Sequence, residues 1–396
     1  MKIKELLAKT ILDSRKEKTI EIFVKTDFGL FSASSPSGKS KSKFEAAAYI
    51  NTIEEDIEKI SNLNFEELEI NEFKDLIKIE KIAKEKIGAN SLYALETAIL
   101  KALAVEQGKQ LWQIINENAK KLPFPVGNCI GGGLHTRFFN AKKPDFQEFL
   151  IIPYTRNFAD NVFLMKKAKE LAEKELKIRK SLGPENDENA FSTSLTNEEV
   201  LKVMAKIKDE LEESAERKIG IGIDIAASTL YNGIIYRYKN PPKILKREEQ
   251  ISYIADLSED FNLGYIEDAL QENDFEGFSS LKKRILRLKP ACLIVGDDLT
   301  ASHTERVKKA IKENSVNAII LKPNQVGSLI EISEIVSLAK KYGLVTIFSH
   351  RSGETLDYSL ADLAFGFQTD FIKTGISGKE REIKLRRLIE IEKSVI

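Results

Sequence analysis

Hydrophobic and polar positions change their rhythm along this chain. From Thr19 to Ser35 the segment TIEIFVKTDFGLFSASS alternates apolar with polar, and Asp27 and Gly29 sit at its middle. That predicts a β-hairpin of IEIFVKT and LFSAS joined by a tight turn. A loop of small residues, PSGKSKS, comes next, and a helix is expected from about Lys43. Residues 43–120 carry a helical period through most of their length. It is clearest in SLYALETAILKALAVEQGK, where Leu92, Leu95, Ala98, Ile99 and Ala102 recur at helical spacing. The prolines of Lys121-Leu122-Pro123-Phe124-Pro125 break that period and mark a boundary. The expectation is a smaller N-terminal α+β domain, residues 1–121, and a second domain, residues 122–396.

Beyond the boundary, strand-like segments separated by helices take over. DFQEFLIIPY reads as an apolar strand interrupted by Gln147 and Glu148, a helix spans about Asn157 to Lys180, SLGPENDENAFST is a polar loop, and a helix runs from Asn197 to Arg217. From Ile219 the alternation is regular. The strands IGIGIDIA, GYIED, CLIVGDD, AIILKP, VTIFSH and FIKTG end at or near Asp224, Glu267, Asp297, Lys322, His350 and Lys373. Apolar strand, polar tip and amphipathic helix, repeated, predict an α/β protein whose C-terminal domain is a parallel (β/α)8-type TIM barrel. In such barrels the chemistry lies at the C-terminal ends of the strands, where these six residues fall.

Composition changes this picture little. Hydrophobic residues at 42% suffice for a large core, and 61 basic against 61 acidic residues offer no electrostatic case for nucleic acid or an acidic membrane surface. No apolar run approaches the ~20 residues a membrane span requires, and MKIKELLAKT has no hydrophobic signal core. Cys129 and Cys292 lie far apart in apolar runs and are expected as buried free thiols in a reducing, cytoplasmic setting. Gly38-Lys39-Ser40 suggests a phosphate-binding loop, but the glycine that fingerprint requires five residues earlier is Ala33.

The strand tips are the richer source. Asp224, Glu267 and Asp297 lie on consecutive strands, and crowding three carboxylates at one rim calls for a cation. Oxygen ligands without Cys or His suit Mg²⁺ first and Mn²⁺ second. Lys322 and Lys373, further round the ring, either neutralise these acids or supply a base for a carbon acid. Arg351 and Ser352, in SHRSGET, have the chemistry to bind phosphate or carboxylate. Glu148 and Glu188 offer an acidic pair as proton donor to a departing hydroxyl. His135 and His350 follow strands, whereas His303 reads as a solvated residue at a helix start.

Taken with ILDSR, PSGKS, GANSLYALETA, NCIGGGLH, QEF, NDEN, IDIAAS, YIEDALQENDFEGF, IVGDDLT, LKPNQVG, YSLADLAFG, IKTG and KERE, the chain resembles the enolase family nearly end to end. The resemblance implies an enolase-type barrel and reversible, Mg²⁺-dependent dehydration of 2-phosphoglycerate to phosphoenolpyruvate, a lyase step of glycolysis and gluconeogenesis. It implies Lys322 as the base at C2, and Glu188, with Glu148 beside it, as the acid at the C3 hydroxyl. By the same likeness Asp224, Glu267 and Asp297 are ligands of a first Mg²⁺ and Ser40 closes over a second. Arg351 and Ser352 contact phosphate, Lys373 the substrate carboxylate, His135 the pocket and His350 the leaving hydroxyl. A homodimer or higher homo-oligomer is implied too. Some loops depart from the pattern: PSGAST is here PSGKSK, DEGG is NDENA, DSRGNPT is DSRKEKT, SIEDP is YIEDA, and residues 136–147 look lengthened. These departures keep two other readings open, an enolase-like enzyme for a different carboxylate and a non-catalytic scaffold on the same fold.

Overall fold

The computed structural model describes residues 1–39, 42–65, 67–136 and 142–395. The N-terminal part opens with three antiparallel strands, β1 (Glu5–Leu12), β2 (Lys18–Thr26) and β3 (Gly29–Ser34), paired in that order. Ile20, Ile22 and Val24 alternate into the core, so β2 has the half-buried period that the sequence advertises. β1 was not expected; Leu7 and Leu12 face outward and blur its alternation. Helices α1 (Ile53–Ser61), α2 (Leu76–Ala83), α3 (Ala89–Glu106) and α4 (Leu111–Ile115) follow. α3 is buried around most of its circumference because it lies against both β2 and β3 and reaches the barrel.

The helix expected from Lys43 starts ten residues later, at Ile53, where the Thr52 side chain caps it by accepting from Glu55 N at 3.1 Å. The preceding segment instead uses its backbone to join the two parts of the molecule. Ala46 N donates to Gln325 O at 2.9 Å, and Ala47 O and Ala48 O accept from Ala89 N and Asn90 N.

The rest of the chain forms β4 (Phe124–Gly131), β5 (Glu148–Pro153), α5 (Phe158–Ile178), β6 (Leu182–Glu185), β7 (Phe191–Thr193), α6 (Asn197–Ala215), β8 (Ile219–Asp224), β9 (Tyr236–Lys239), β10 (Pro242–Leu245) and α7 (Arg247–Asp260). It continues with β11 (Tyr265–Glu267), α8 (Phe275–Leu286), β12 (Leu293–Gly296), α9 (Thr304–Lys312), β13 (Ala318–Leu321), α10 (Pro323–Val326), α11 (Leu329–Lys341), β14 (Val345–Ser349), α12 (Ser359–Gly366), β15 (Phe371–Lys373) and α13 (Lys379–Val395). Strands β4, β5, β8 and β11 to β15 close into an eight-stranded barrel through the β15–β4 pairing. Val126, Leu150, Ile152, Tyr265, Val295, Ile320 and Ile347 belong to a separate apolar cluster within it.

One strand corrects the expectation of an all-parallel barrel. β5 runs antiparallel to both β4 and β8. Among the described residues only a 3₁₀ turn, Gly133–His135, lies between β4 and β5, whereas a parallel pair would need a crossover connection. The reversal places the start of β5, not its end, on the active rim. Glu148 stands directly beside Asp224 there, so Gln147 and Glu148 lead into the strand rather than interrupt it. The polar 182–193 segment, expected as a loop, is the β6–β7 hairpin, whose turn carries Glu188. Cys129 and Cys292 are buried and unpaired.

Candidate active site

Strand geometry delivers the polar tips to one place. Asp224, Glu267 and Lys373 are the last residues of β8, β11 and β15, and Asp297, Lys322 and His350 each follow directly on β12, β13 and β14. Parallel strands present these positions at one end, and Glu148 joins them through the reversed β5. Lys322 and Asp297 line the same cavity as Glu188, Glu148, His135 and Arg351.

Charge is concentrated here and partly balanced. The buried ammonium of Lys373 lies 2.7 Å from Glu148 Oε2, 2.8 Å from Glu267 Oε2 and 3.5 Å from Asp224 Oδ2. Burial favours its neutral form, but these three acids outweigh burial and raise its pKa well above the ordinary lysine value. The acids bear the converse strain. Burial, then mutual repulsion among the carboxylates, pushes Glu267 well above the carboxylate range and raises Asp224. Burial lifts Glu148 to about 7 against the pull of Lys373. Lys322 forms a close ion pair with Asp297. That partner overrides burial in both, holding Asp297 below and Lys322 above its usual value.

Among the described residues, the groups whose ligand atoms gather within 4.8 Å are Asp268–Asp297–Asp298 and His135–Glu148–Glu188. Asp224, Glu267 and Asp297 do not form one such set: Lys373 contacts the first two and Lys322 takes the third. Still, the donors suit a hard divalent cation. All are carboxylate oxygens, and Asp297 Oδ1 is buried without a hydrogen-bond partner.

Across the cavity, Glu188 is reached by Asn128 Nδ2 at 3.4 Å, His135 Nδ1 at 3.5 Å and His350 Nε2 at 3.9 Å. Burial lowers the pKa of His135 and drives that of His350 well below its ordinary value, so both imidazoles are neutral at pH 7. On the side facing the N-terminal part, Arg351 donates to Glu45 at 3.0 and 3.1 Å and to Asn324 Oδ1 at 3.2 Å. Ser352 Oγ accepts from Lys39 N at 2.9 Å and Arg15 Nη1 at 3.3 Å. Ser40 lies outside the described residues. His303 is exposed, caps α9 by accepting from Glu305 N and does not line this cavity.

Asp268, which the sequence offers as a further acid just beyond the Glu267 tip, is joined here by participants that were not singled out from sequence. Asp268 braces the β12 tip by accepting from Asp297 N and Asp298 N at 3.0 and 2.8 Å. Tyr265 OH donates to Glu267 Oε2 at 2.7 Å and Gln147 Nε2 to Asp224 Oδ2 at 3.2 Å. Glu45 and Asn128 were equally unforeseen. Adjacency to a tip was a usable signal for Asp268 and Gln147; a partner 306 positions away, as with Glu45 and Arg351, leaves none.

Comparison with known proteins agrees with this architecture. Residues 3–115 match the family model described as the enolase N-terminal domain, and residues 119–396 match the enolase C-terminal TIM barrel domain. A curated protein named enolase from Natronomonas pharaonis is 35% identical over 98% of each chain. One from Archaeoglobus fulgidus is 35% identical over 99% of this chain and 97% of its own, and one from Methanosphaera stadtmanae 34% over 100% and 97%. Among the described residues no helix is long and apolar enough to cross a membrane.

Proposed function

This chain belongs to the enolase family, and we propose that it is a Mg²⁺-dependent hydro-lyase interconverting 2-phosphoglycerate and phosphoenolpyruvate. The observation that carries the reading is the placement of a largely covered lysine, Lys322, and a buried carboxyl, Glu188, on one small polar cavity. Elimination of water needs both: a base for the proton at C2 and an acid for the hydroxyl at C3.

Lys322 takes the C2 proton as the neutral amine, a form that Asp297 disfavours while it pairs with Lys322 and that becomes available once Asp297 turns to a cation instead. Glu188 gives a proton to the C3 hydroxyl, which leaves as water. His135 and His350, both neutral, flank Glu188 and offer hydrogen bonds to the departing oxygen without adding charge. Glu148 stands beside that acid. Arg351 and Ser352 hold the phosphate, and Lys373 faces the substrate carboxylate. A lysine base paired with Mg²⁺ is a known pattern of this superfamily. Asp224, Glu267 and Asp297 would hold the first of two Mg²⁺ ions, and when bound such an ion would supply positive charge for the negative charge that builds beside the substrate carboxylate. Ser40 is assigned to the second by family likeness alone. Burial of the cavity side chains keeps bulk water from the reacting atoms, which strengthens each of these interactions.

We read the groove edged by the exposed Leu12, Leu30, Val105 and Leu356 as the contact with a second copy. It also carries Glu21, Lys101 and Arg387, so both signs of charge are available for a self-complementary face. Two buried free thiols suit a cytoplasmic protein.

The test is direct: follow phosphoenolpyruvate formation from 2-phosphoglycerate by purified protein with Mg²⁺, then after chelation. Turnover that chelation abolishes is expected. Metal binding without turnover defeats the assignment in favour of another carboxylate substrate.

A further inference from the structure

Four residues far apart in sequence, Lys39, Asp187, Ser352 and Arg381, meet beside the cavity and form a closed circuit. Lys39 N donates to Ser352 Oγ at 2.9 Å. The Ser352 carbonyl accepts from Arg381 Nη2 at 3.1 Å, and the same Nη2 donates to the Asp187 carbonyl at 3.2 Å. Asp187 closes the circuit through its carboxylate, which accepts from Lys39 Nζ at 2.6 Å. Only Lys39 belongs to the N-terminal part of the chain, and it enters the circuit twice, once by backbone and once by ammonium.

Asp187 immediately precedes the proposed acid. The turn around it has a defined shape: Asn186 Oδ1 accepts from Glu188 N and Ala190 N at 2.9 and 3.0 Å, and Asn189 sits at φ 61°. Arg381 secures this turn through the Asp187 carbonyl, leaving Lys39 as the partner of the Asp187 side chain. The Lys39–Asp187 side chains are 24% and 19% exposed, so their attraction is less screened than that of a fully solvated pair. Lys39 is also where this sequence places a lysine in PSGKSK.

We propose that Lys39 is a positioning residue for the acid half of the reaction. Its ammonium, through Asp187, sets the turn that carries Glu188, and its backbone ties that setting to the seating of residues 36–39 on Ser352. Occupation of the proposed phosphate contact and placement of the acid are thereby coupled. The inference rests on the function proposed above.

The experiment compares Lys39→Met and Lys39→Arg with the parent in two ways. Hydrogen exchange on the ligand-free protein needs no substrate: Lys39→Met should raise exchange at the amides of Lys39 and Glu188 together, by roughly fivefold for a pair worth about 1 kcal/mol, and Lys39→Arg should restore protection. In turnover, Lys39→Met should lower dehydration by a similar roughly fivefold factor while isotope exchange at C2 stays at the parent rate. Faster exchange at Lys39 alone, or unchanged exchange at both sites, overturns the proposal. So does an equal loss of C2 exchange and dehydration, which would place Lys39 in binding or in the base step. A parent that does not turn over 2-phosphoglycerate defeats the assigned reaction instead, while hydrogen exchange still decides the coupling.

Discussion

Replacing Lys373 with Met should destabilise the metal-free protein, and Mg²⁺ should restore much of the loss. The ammonium contacts three buried acids at 2.7, 2.8 and 3.5 Å. At an effective dielectric of about 20, a single such contact near 2.8 Å attracts by roughly 6 kcal/mol. Desolvation of the ammonium cancels much of that, and breaking a buried pair typically costs about 3–5 kcal/mol net. Unfolding 396 residues at about 2.1 cal/mol/K per residue gives an entropy near 0.8 kcal/mol/K. A loss of about 4 kcal/mol then lowers Tm by about 5 °C. Met keeps most of the aliphatic volume, so the change reports charge rather than a cavity. Glu148, Asp224 and Glu267 would be left with no ammonium among them, and a divalent cation bound at this rim would supply the missing charge. Thermal melts of parent and variant, each with and without millimolar Mg²⁺, make the check. A variant melting within ~1 °C of the parent without metal, or equal Mg²⁺ shifts in both, would refute the claim that these acids depend on compensating positive charge.

Other outcomes follow from the same geometry. Lys322→Ala should reduce proton exchange at C2 of 2-phosphoglycerate by roughly 10²–10⁴-fold, read as deuterium washout; exchange near the parent rate excludes Lys322 as the base. Gly38→Ala places a Cβ 1.9 Å from Arg351 Nη2, so the guanidinium must shift, and KM should rise about tenfold for loss of one charge-assisted contact; an unchanged KM argues against Arg351 as the phosphate contact. Glu96 lies buried in α3, and burial, followed by the neighbouring Glu80, raises its pKa well above the carboxylate range. Its proton is held more tightly folded than unfolded, so the stability it favours is complete below about pH 4.3 and declines as pH rises toward the folded value. Glu96→Gln should therefore melt above the parent at pH 8 and match it near pH 4; parallel pH profiles would show that Glu96 is not protonated in the folded state.

The barrel's active rim was legible because parallel strands amplify a simple signal. Each of Asp224, Glu267, Asp297, Lys322, His350 and Lys373 is a polar residue at the end of an apolar run, and strands pointing one way put such ends together. Direction itself is not written in a strand's composition, so Glu148 looked like an interruption until β5 proved reversed. Alternation found β2 and β3 but not β1, whose outward leucines hide it. EAAAY carries good helix formers, yet its backbone bonds instead to Gln325 and the start of α3, which local propensity cannot foresee. Pairings such as Arg351 with Glu45 and Lys39 with Asp187 join residues 306 and 148 positions apart and depend wholly on how the parts dock.

That docking bears on the chemistry as well as on the fold. A barrel rim holding Glu148, Glu188, Asp224, Glu267, Asp268, Asp297 and Asp298 against Lys322 and Lys373 carries more acid than base. Apolar replacements at such positions are often neutral or stabilising, so stability alone gives little reason for this set. Among the described residues, the N-terminal part adds no cation to the deepest acids. Its Glu45 engages Arg351 and its Lys39 engages Asp187, so it orders the two ends of the cavity, where phosphate and the departing hydroxyl are expected, and leaves the centre short of positive charge. A cation that binds the centre and a phosphate that binds the edge then act on different parts of one surface. Mg²⁺ alone should accordingly stabilise the barrel rim without changing hydrogen exchange at residues 36–39, whereas phosphate should protect that loop; protection of the loop by Mg²⁺ alone would contradict this division.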